Sequence, residues 1–139
     1  MIKKLILITA TLIATSLWAD TRNWTEIGKS TLQIDYYLDL TSLRTVEGLA
    51  YVYTLRDYNI QEEDGTSSSI YYVKVDCEAK RNKDLKIFWF KNRMAQGIPS
   101  LGFTPEETEP WQYHLPGSVG ENVIVKVCAY ASTSSILEY

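Results

Sequence analysis

The chain has 139 residues, 45% of them hydrophobic and 22% charged, with 17 acidic side chains against 14 basic ones for a net charge of −3. That balance argues against a nucleic-acid binder, because neutralising phosphates takes an excess of Lys and Arg. With one His and two Cys in the whole chain, the donors for a zinc site are also short, so neither a metal nor a cofactor is expected.

Residues 1–19 read as an export signal: Lys3 and Lys4 form a positive start, Leu5 to Leu17 carries no charge, and Leu17-Trp18-Ala19 ends in a small residue before Asp20. Cleavage between Ala19 and Asp20 is expected. The apolar run is interrupted by Thr9, Thr11, Thr15 and Ser16 and is shorter than the roughly 20 residues a spanning helix needs. No integral membrane segment is therefore expected after processing, and no cysteine near the cleavage point offers a lipid attachment site. Residues 20–139 amount to one domain.

Asn23 to Gly28 alternates weakly as a first strand, and Leu32 to Leu38 alternates clearly as a second. Asp39-Leu40-Thr41-Ser42-Leu43-Arg44 is expected to be a turn or a single helical turn, since Asp, Thr and Ser side chains compete for the backbone. Leu49 to Tyr58 is the longest β-like run and a third strand. Asn59 to Ser69, with Glu62-Glu63-Asp64-Gly65 and three consecutive serines, is expected to be a mobile hairpin loop. Ile70 to Cys77 follows as a strand with Tyr71, Val73, Val75 and Cys77 on one face. A charged turn, Lys80 to Asp84, leads to a strand over Leu85 to Phe90. Arg93 to Pro110 is irregular, with one short edge strand near Leu101 to Phe103.

Pro116-Gly117-Ser118 introduces the last element. Ser118 followed by Glu121 is a capping box, in which hydroxyl and carboxylate each meet an orphan backbone N–H at a helix start. Val119, Val123, Ile124, Val127, Cys128 and Ala131 then recur at helical spacing. The β-branched residues would also suit a strand, but a strand leaves the cap without a role, so a helix is preferred. In an oxidising compartment an even pair of cysteines without CxxC spacing reads as a disulfide. Cys77 on the core face of a strand and Cys128 on the apolar stripe of the helix would then pin helix to sheet.

Catalytic constellations are thin. His114 stands alone before the helix without a nucleophile elbow or other positioning motif, and the acidic loops lack the ligand spacing of a calcium site. The basic cluster Lys80, Arg81, Lys83, Lys86, Lys91 and Arg93, with Trp89 beside it, is the candidate binding patch.

The order of landmarks resembles a known family. Trp24, Tyr36-Tyr37 with Asp39 and Ser42-Leu43, Gly48, Asp57-Tyr58, Asp76-Cys77, Trp111, and Pro116-Gly117-Ser118 leading to Val127-Cys128 are similar to the bacterial surface-adhesin protein E-like domain over residues 23–130. The resemblance implies a small exported protein of Gram-negative bacteria, with an antiparallel sheet joined to a C-terminal helix by a disulfide. It implies no catalytic residue.

The sequence thus predicts an α+β fold. A single antiparallel sheet of five to six strands carries a C-terminal helix packed on it and joined to it by the Cys77–Cys128 disulfide. The function expected is a non-enzymatic, periplasmic or secreted binding module, cell-surface display included, that recognises a protein. The resemblance points to a host matrix or serum protein; an envelope protein is the other class considered. The alternative is a periplasmic inhibitor of, or accessory to, an envelope-directed enzyme, with the loop from Arg93 to Pro110 as its inserting element. Oligomeric state stays open, a dimer included.

Overall fold

The computed structural model describes residues 22–103 and 109–134. The expected signal segment with its expected Ala19–Asp20 cleavage point lies outside them, as do Glu106 and Glu107.

Six strands follow one another as an antiparallel meander in chain order: β1 (Trp24–Lys29), β2 (Ile34–Val46), β3 (Leu49–Tyr58), β4 (Ser68–Asp76), β5 (Arg81–Phe90) and β6 (Ser100–Phe103). A two-residue strand, β7 (Gln112–Tyr113), also pairs with β5, Arg81 opposite Tyr113 and Asn82 opposite Gln112. A single 3-10 turn, Arg93–Ala95, follows β5, and α1 (Val119–Ser134) closes the described chain. The α+β expectation holds, with the short edge strand near Leu101 present as β6.

Alternation of side chains across the pleat sorts the sheet into two faces. On one, Leu38, Ala50, Val52, Tyr71, Val73 and Val75 pack against Ile124 and Val127 of α1, with Val123, Cys128 and Ala131 at the margin. This is the helical stripe expected from the sequence, and Val125, off the stripe, is 51% exposed. The sheet thereby supplies the stability that β-branched residues withhold from an isolated helix. Cys77 and Cys128 form the disulfide, with Cα atoms 5.7 Å apart and a sequence separation of 51. Asn122 adds a second tie, its Nδ2 donating to the carbonyl of Ile27 on β1 at 2.9 Å.

The helix start differs in detail from a full capping box. The Ser118 hydroxyl accepts from the Glu121 N–H at 3.2 Å, whereas the Glu121 carboxylate accepts from the Gly117 N–H. The Ser118 N–H instead donates to the Leu115 carbonyl.

Two expectations are corrected, besides the charged turn over Lys80 to Asp84, where β5 already begins at Arg81 in register with β4. Residues 39–44 form no turn, because β2 runs through them to Val46 with a register shift between Asp39 and Arg44. The side chains do engage the local backbone: the Asp39 carboxylate accepts from the Thr41 N–H, and the Ser42 hydroxyl donates to the Asp39 carbonyl while accepting from the Tyr53 N–H. They thereby stabilise a bulge within a paired strand. The real turn is Glu47-Gly48, both at positive φ, the geometry of a two-residue hairpin.

The second correction concerns the serine run. Thr66 to Ser69 is buried, Ser68 and Ser69 at 0% exposure, and β4 already begins at Ser68. Hydroxyls tolerate burial when bonded. Ser68 donates to the Asn92 carbonyl and accepts from the Ala95 N–H, and Ser69 Oγ lies 2.7 Å from Tyr58 Oη. Burial pushes the Tyr58 phenol up to about 12.

Candidate functional site

The face of the sheet opposite α1 has two halves. At one end the turn Arg93–Ala95 folds back over a second apolar cluster, Leu55, Ile70, Phe90 and Ala95, with Trp24, Tyr37, Phe88 and Met94 around it. The turn is held by charge. Asp57, 1% exposed, accepts from Arg93 Nε at 3.0 Å, from Arg93 Nη2 and from the Met94 N–H at 2.7 Å, and this carboxylate raises the Arg93 guanidinium above its ordinary pKa. The bonds fix Met94 and Ala95 in left-handed backbone geometry, which non-glycine residues adopt only under such constraint.

At the other end the cross-strand registers line up one row over four strands: Arg44 opposite Tyr51, Tyr51 opposite Lys74, Lys74 opposite Lys83. Trp111, just before β7, ends the row at the edge of β5. Its ring lies 4.3 Å from Arg81 Cζ, 5.2 Å from Lys83 Nζ and 5.3 Å from Lys74 Nζ. Arg44 sits 5.2 Å from the Tyr51 centroid and donates from Nε and Nη2 to the Tyr72 hydroxyl at 3.1 and 2.8 Å. The adjacent row continues the pattern, with the Tyr53 and Tyr72 rings in tilted contact at 4.6 Å between centroids and Arg22 4.4 Å above Tyr53. Arg81 is anchored to Asp76 at 2.9 Å. The Ala79 N–H and then Arg81 hold the Asp76 carboxyl below the usual carboxylate range.

The seven patch residues named from the sequence do not form one surface. Arg81, Lys83 and Lys86 lie on the open face. Trp89 pairs with Ser69 and so points to the other face. Lys91 donates to the Asp64 carbonyl, and Arg93 is spent on Asp57. Lys80 lines a separate cleft of about 450 Å³ between α1 and the β4–β5 turn, with the disulfide and Ile124 in its wall. The expected single patch is thus corrected, because β-strand alternation and the loop at the end of β5 divide it. Arg44, Lys74 and Trp111 join the row instead, and only cross-strand register brings them there.

His114 is placed as a structural residue. Its Nε2 lies 2.6 Å from Asn82 Oδ1, while Asn82 Nδ2 faces Gln112 Oε1 at 3.5 Å, so the neutral ring donates from Nε2 to Asn82. Burial, and next Arg56, lower its pKa below the ordinary imidazole value. Among the described residues no three His, Cys, Asp or Glu side chains converge as metal ligands, and no helix is long and apolar enough to cross a membrane.

A meander sheet clamped on one face by a C-terminal helix and a disulfide, and left cationic and aromatic over half of the other, defines a small stapled α+β domain. The sequence model of the family Surface-adhesin protein E matches residues 24–129, and the chain belongs to that family. Solved structures of Haemophilus influenzae protein E share the fold. One crystal form superimposes with a TM-score of 0.57 at 16% identity over 81% of this chain and 93% of that one. Another gives 0.57 at 15% identity over 86% and 96%. No curated protein sequence matches the chain.

Proposed function

We propose that the chain is an exported, non-enzymatic binding module, adhesin-like in role, that recognises a protein partner through the half of its sheet that no described element covers. The observation that carries this reading is the row Arg44–Tyr51–Lys74–Lys83 with Trp111 at its end. It concentrates positive charge and rigid rings on one face of a chain whose net charge is negative, and aromatic and Arg residues are the side chains that dominate binding interfaces. Family membership agrees with it, since the family's description is that of a surface adhesin, and the N-terminal residues have the composition of a cleaved signal.

The test is direct binding of the purified, processed protein to a panel of purified host matrix and serum proteins and to isolated envelope proteins, with inhibition of a lysozyme-type hydrolase assayed alongside. Saturable capture of a panel protein, lost in Arg44→Glu with Lys83→Glu and retained in Lys126→Glu on the helix, is expected. Failure to bind any panel member together with stoichiometric hydrolase inhibition would replace this reading with that of an inhibitor. Protease treatment of intact and permeabilised cells then separates surface display from periplasmic residence.

A further inference from the structure

We infer that the cleft between α1 and the β4–β5 turn is a binding site for a small amphiphile, an unbranched alkyl chain ending in one anionic group such as a carboxylate. The cleft lies on the helix side of the sheet, so the inference goes beyond the protein-binding role proposed above and does not depend on it. At about 450 Å³ it falls within the range of small-ligand sites. An apolar cavity of about 150 Å³ takes a benzene ring, so this cleft has room for a body about three times that size. Its shape favours a chain. Glu121, Ile124, Val125 and Cys128 form the helix wall at positions i, i+3, i+4 and i+7, so the wall runs along two turns of α1, about 10.5 Å. The disulfide, Ile124 and Val125 are met across the cleft by Ala79 and the Tyr113 ring. Tyr113 and Val125 are 67% and 51% exposed, apolar surface open to a ligand.

The charges give the head group its sign. Lys80 is the lysine that lines the cleft, and it has no ion-pair or hydrogen-bond partner among the described residues. Glu121, the carboxylate of the lining, already accepts from the Gly117 N–H and stands in the first turn of α1, where the helix dipole favours its charge. The free charge of the cleft is therefore positive, and a polar group set in an otherwise apolar trough fixes the orientation of what binds there. The backbone adds a second observation. Lys80 holds φ at 52°, left-handed geometry that glycine adopts freely and a residue with a Cβ adopts only at a cost. A turn selected for stability alone would carry glycine at that position, whereas lysine keeps an ammonium at the cleft, and strain of this kind gathers at ligand sites.

The probe is decanoate, titrated calorimetrically into the processed protein below its micellar concentration, with decanol and decyltrimethylammonium as comparisons. Saturable one-site binding of decanoate is expected, at least tenfold tighter than that of decyltrimethylammonium. Lys80→Gly should weaken decanoate at least tenfold and leave decanol unchanged. This variant should melt no lower than the parent, because glycine relieves the turn, so a loss of binding is not a loss of fold. Val125→Glu, at a half-exposed position, should abolish binding of both decanoate and decanol, and Lys126→Ala, outside the cleft wall, should alter neither. Absence of saturable decanoate binding, equal binding of the cationic amphiphile, or indifference to Lys80→Gly would overturn the inference. A dimer in solution that Val125→Glu dissolves would also overturn it, since a second copy would then fill the cleft.

Discussion

Gly120 stands in the first turn of α1, where alanine would ordinarily be favoured over glycine by about 1 kcal/mol. Here the sign should reverse. A Cβ on Gly120 would come within 2.6 Å of His114 Cε1 and 2.7 Å of its Cγ, and closer still to Nδ1. Cγ is the root of the ring, so no swing of a flexible tip relieves the contact. The imidazole must leave Asn82, a residue 7% exposed whose Oδ1 would lose its 2.6 Å partner. An unsatisfied buried amide costs about 1–3 kcal/mol, and an overpacked site about 1–3 kcal/mol more. Gly120→Ala should therefore destabilise by about 2–3 kcal/mol net in urea denaturation followed by far-UV circular dichroism. In a His114→Ala background the obstruction is gone, and Gly120→Ala should be neutral or stabilising by up to about 1 kcal/mol, a coupling of more than about 2 kcal/mol. Stabilisation by Gly120→Ala alone, or additivity of the two substitutions within about 0.5 kcal/mol, would refute the packing argument.

Replacing Cys128 with Ser opens a loop of 51 residues, for which chain entropy gives about 4 kcal/mol; the melting temperature should fall by roughly 15–25 °C, and thiol titration should find one free thiol at Cys77. His114, with its pKa lowered in the fold by burial and Arg56 and only Asp84 opposing, contributes stability that is complete above the unfolded value of 6.5 and is lost as pH falls from there through the folded pKa. Melting temperatures of wild type and His114→Gln should accordingly diverge between pH 8 and pH 5, the wild type losing more. Arg93→Ala leaves the buried Asp57 carboxylate with the Met94 N–H at 2.7 Å as its remaining donor among the described residues and should cost about 1–3 kcal/mol, read as a shifted urea midpoint, while an Arg93→Lys variant recovers part of the loss.

The strands were legible where one face is apolar. Leu49 to Tyr58 occupies the bounds of β3 as read, and the apolar stripe of α1 with its Ser118 cap marked the helix. What misled was chemistry with two outcomes. Asp39, Thr41 and Ser42 bond the local backbone as such residues do, but whether that makes a turn or a bulge depends on whether β3 lies alongside to accept the pairing. The serines at 67–69 look like loop because hydroxyls prefer water. Ser68 and Ser69 tolerate burial because Asn92, Ala95 and Tyr58 supply partners, two of them contributed by a segment more than twenty residues downstream.

The candidate site was harder still to read for a geometric reason. Cations at Lys80, Arg81, Lys83, Lys86, Lys91 and Arg93 look like one cluster in one dimension, yet strand alternation and the Arg93 turn send them to different places. The row that does form draws one residue from each of β2, β3, β4 and β5, and no spacing rule connects Arg44 to Lys83.

The two faces of this sheet answer different demands. On the helix side, Ile124 and Val127 bury apolar surface against the sheet, and the disulfide and the Asn122 tie hold the helix there. On the other side the Arg93–Asp57 clip covers one end of the sheet and leaves the rest to Arg44, Lys74, Lys83 and Trp111. A fold of this size gains little margin from its core, so the covered face and the staple matter to the sheet as a whole. That division agrees with a staple that joins helix to sheet: rigidity is supplied from behind, and among the described residues no further layer covers the row in front.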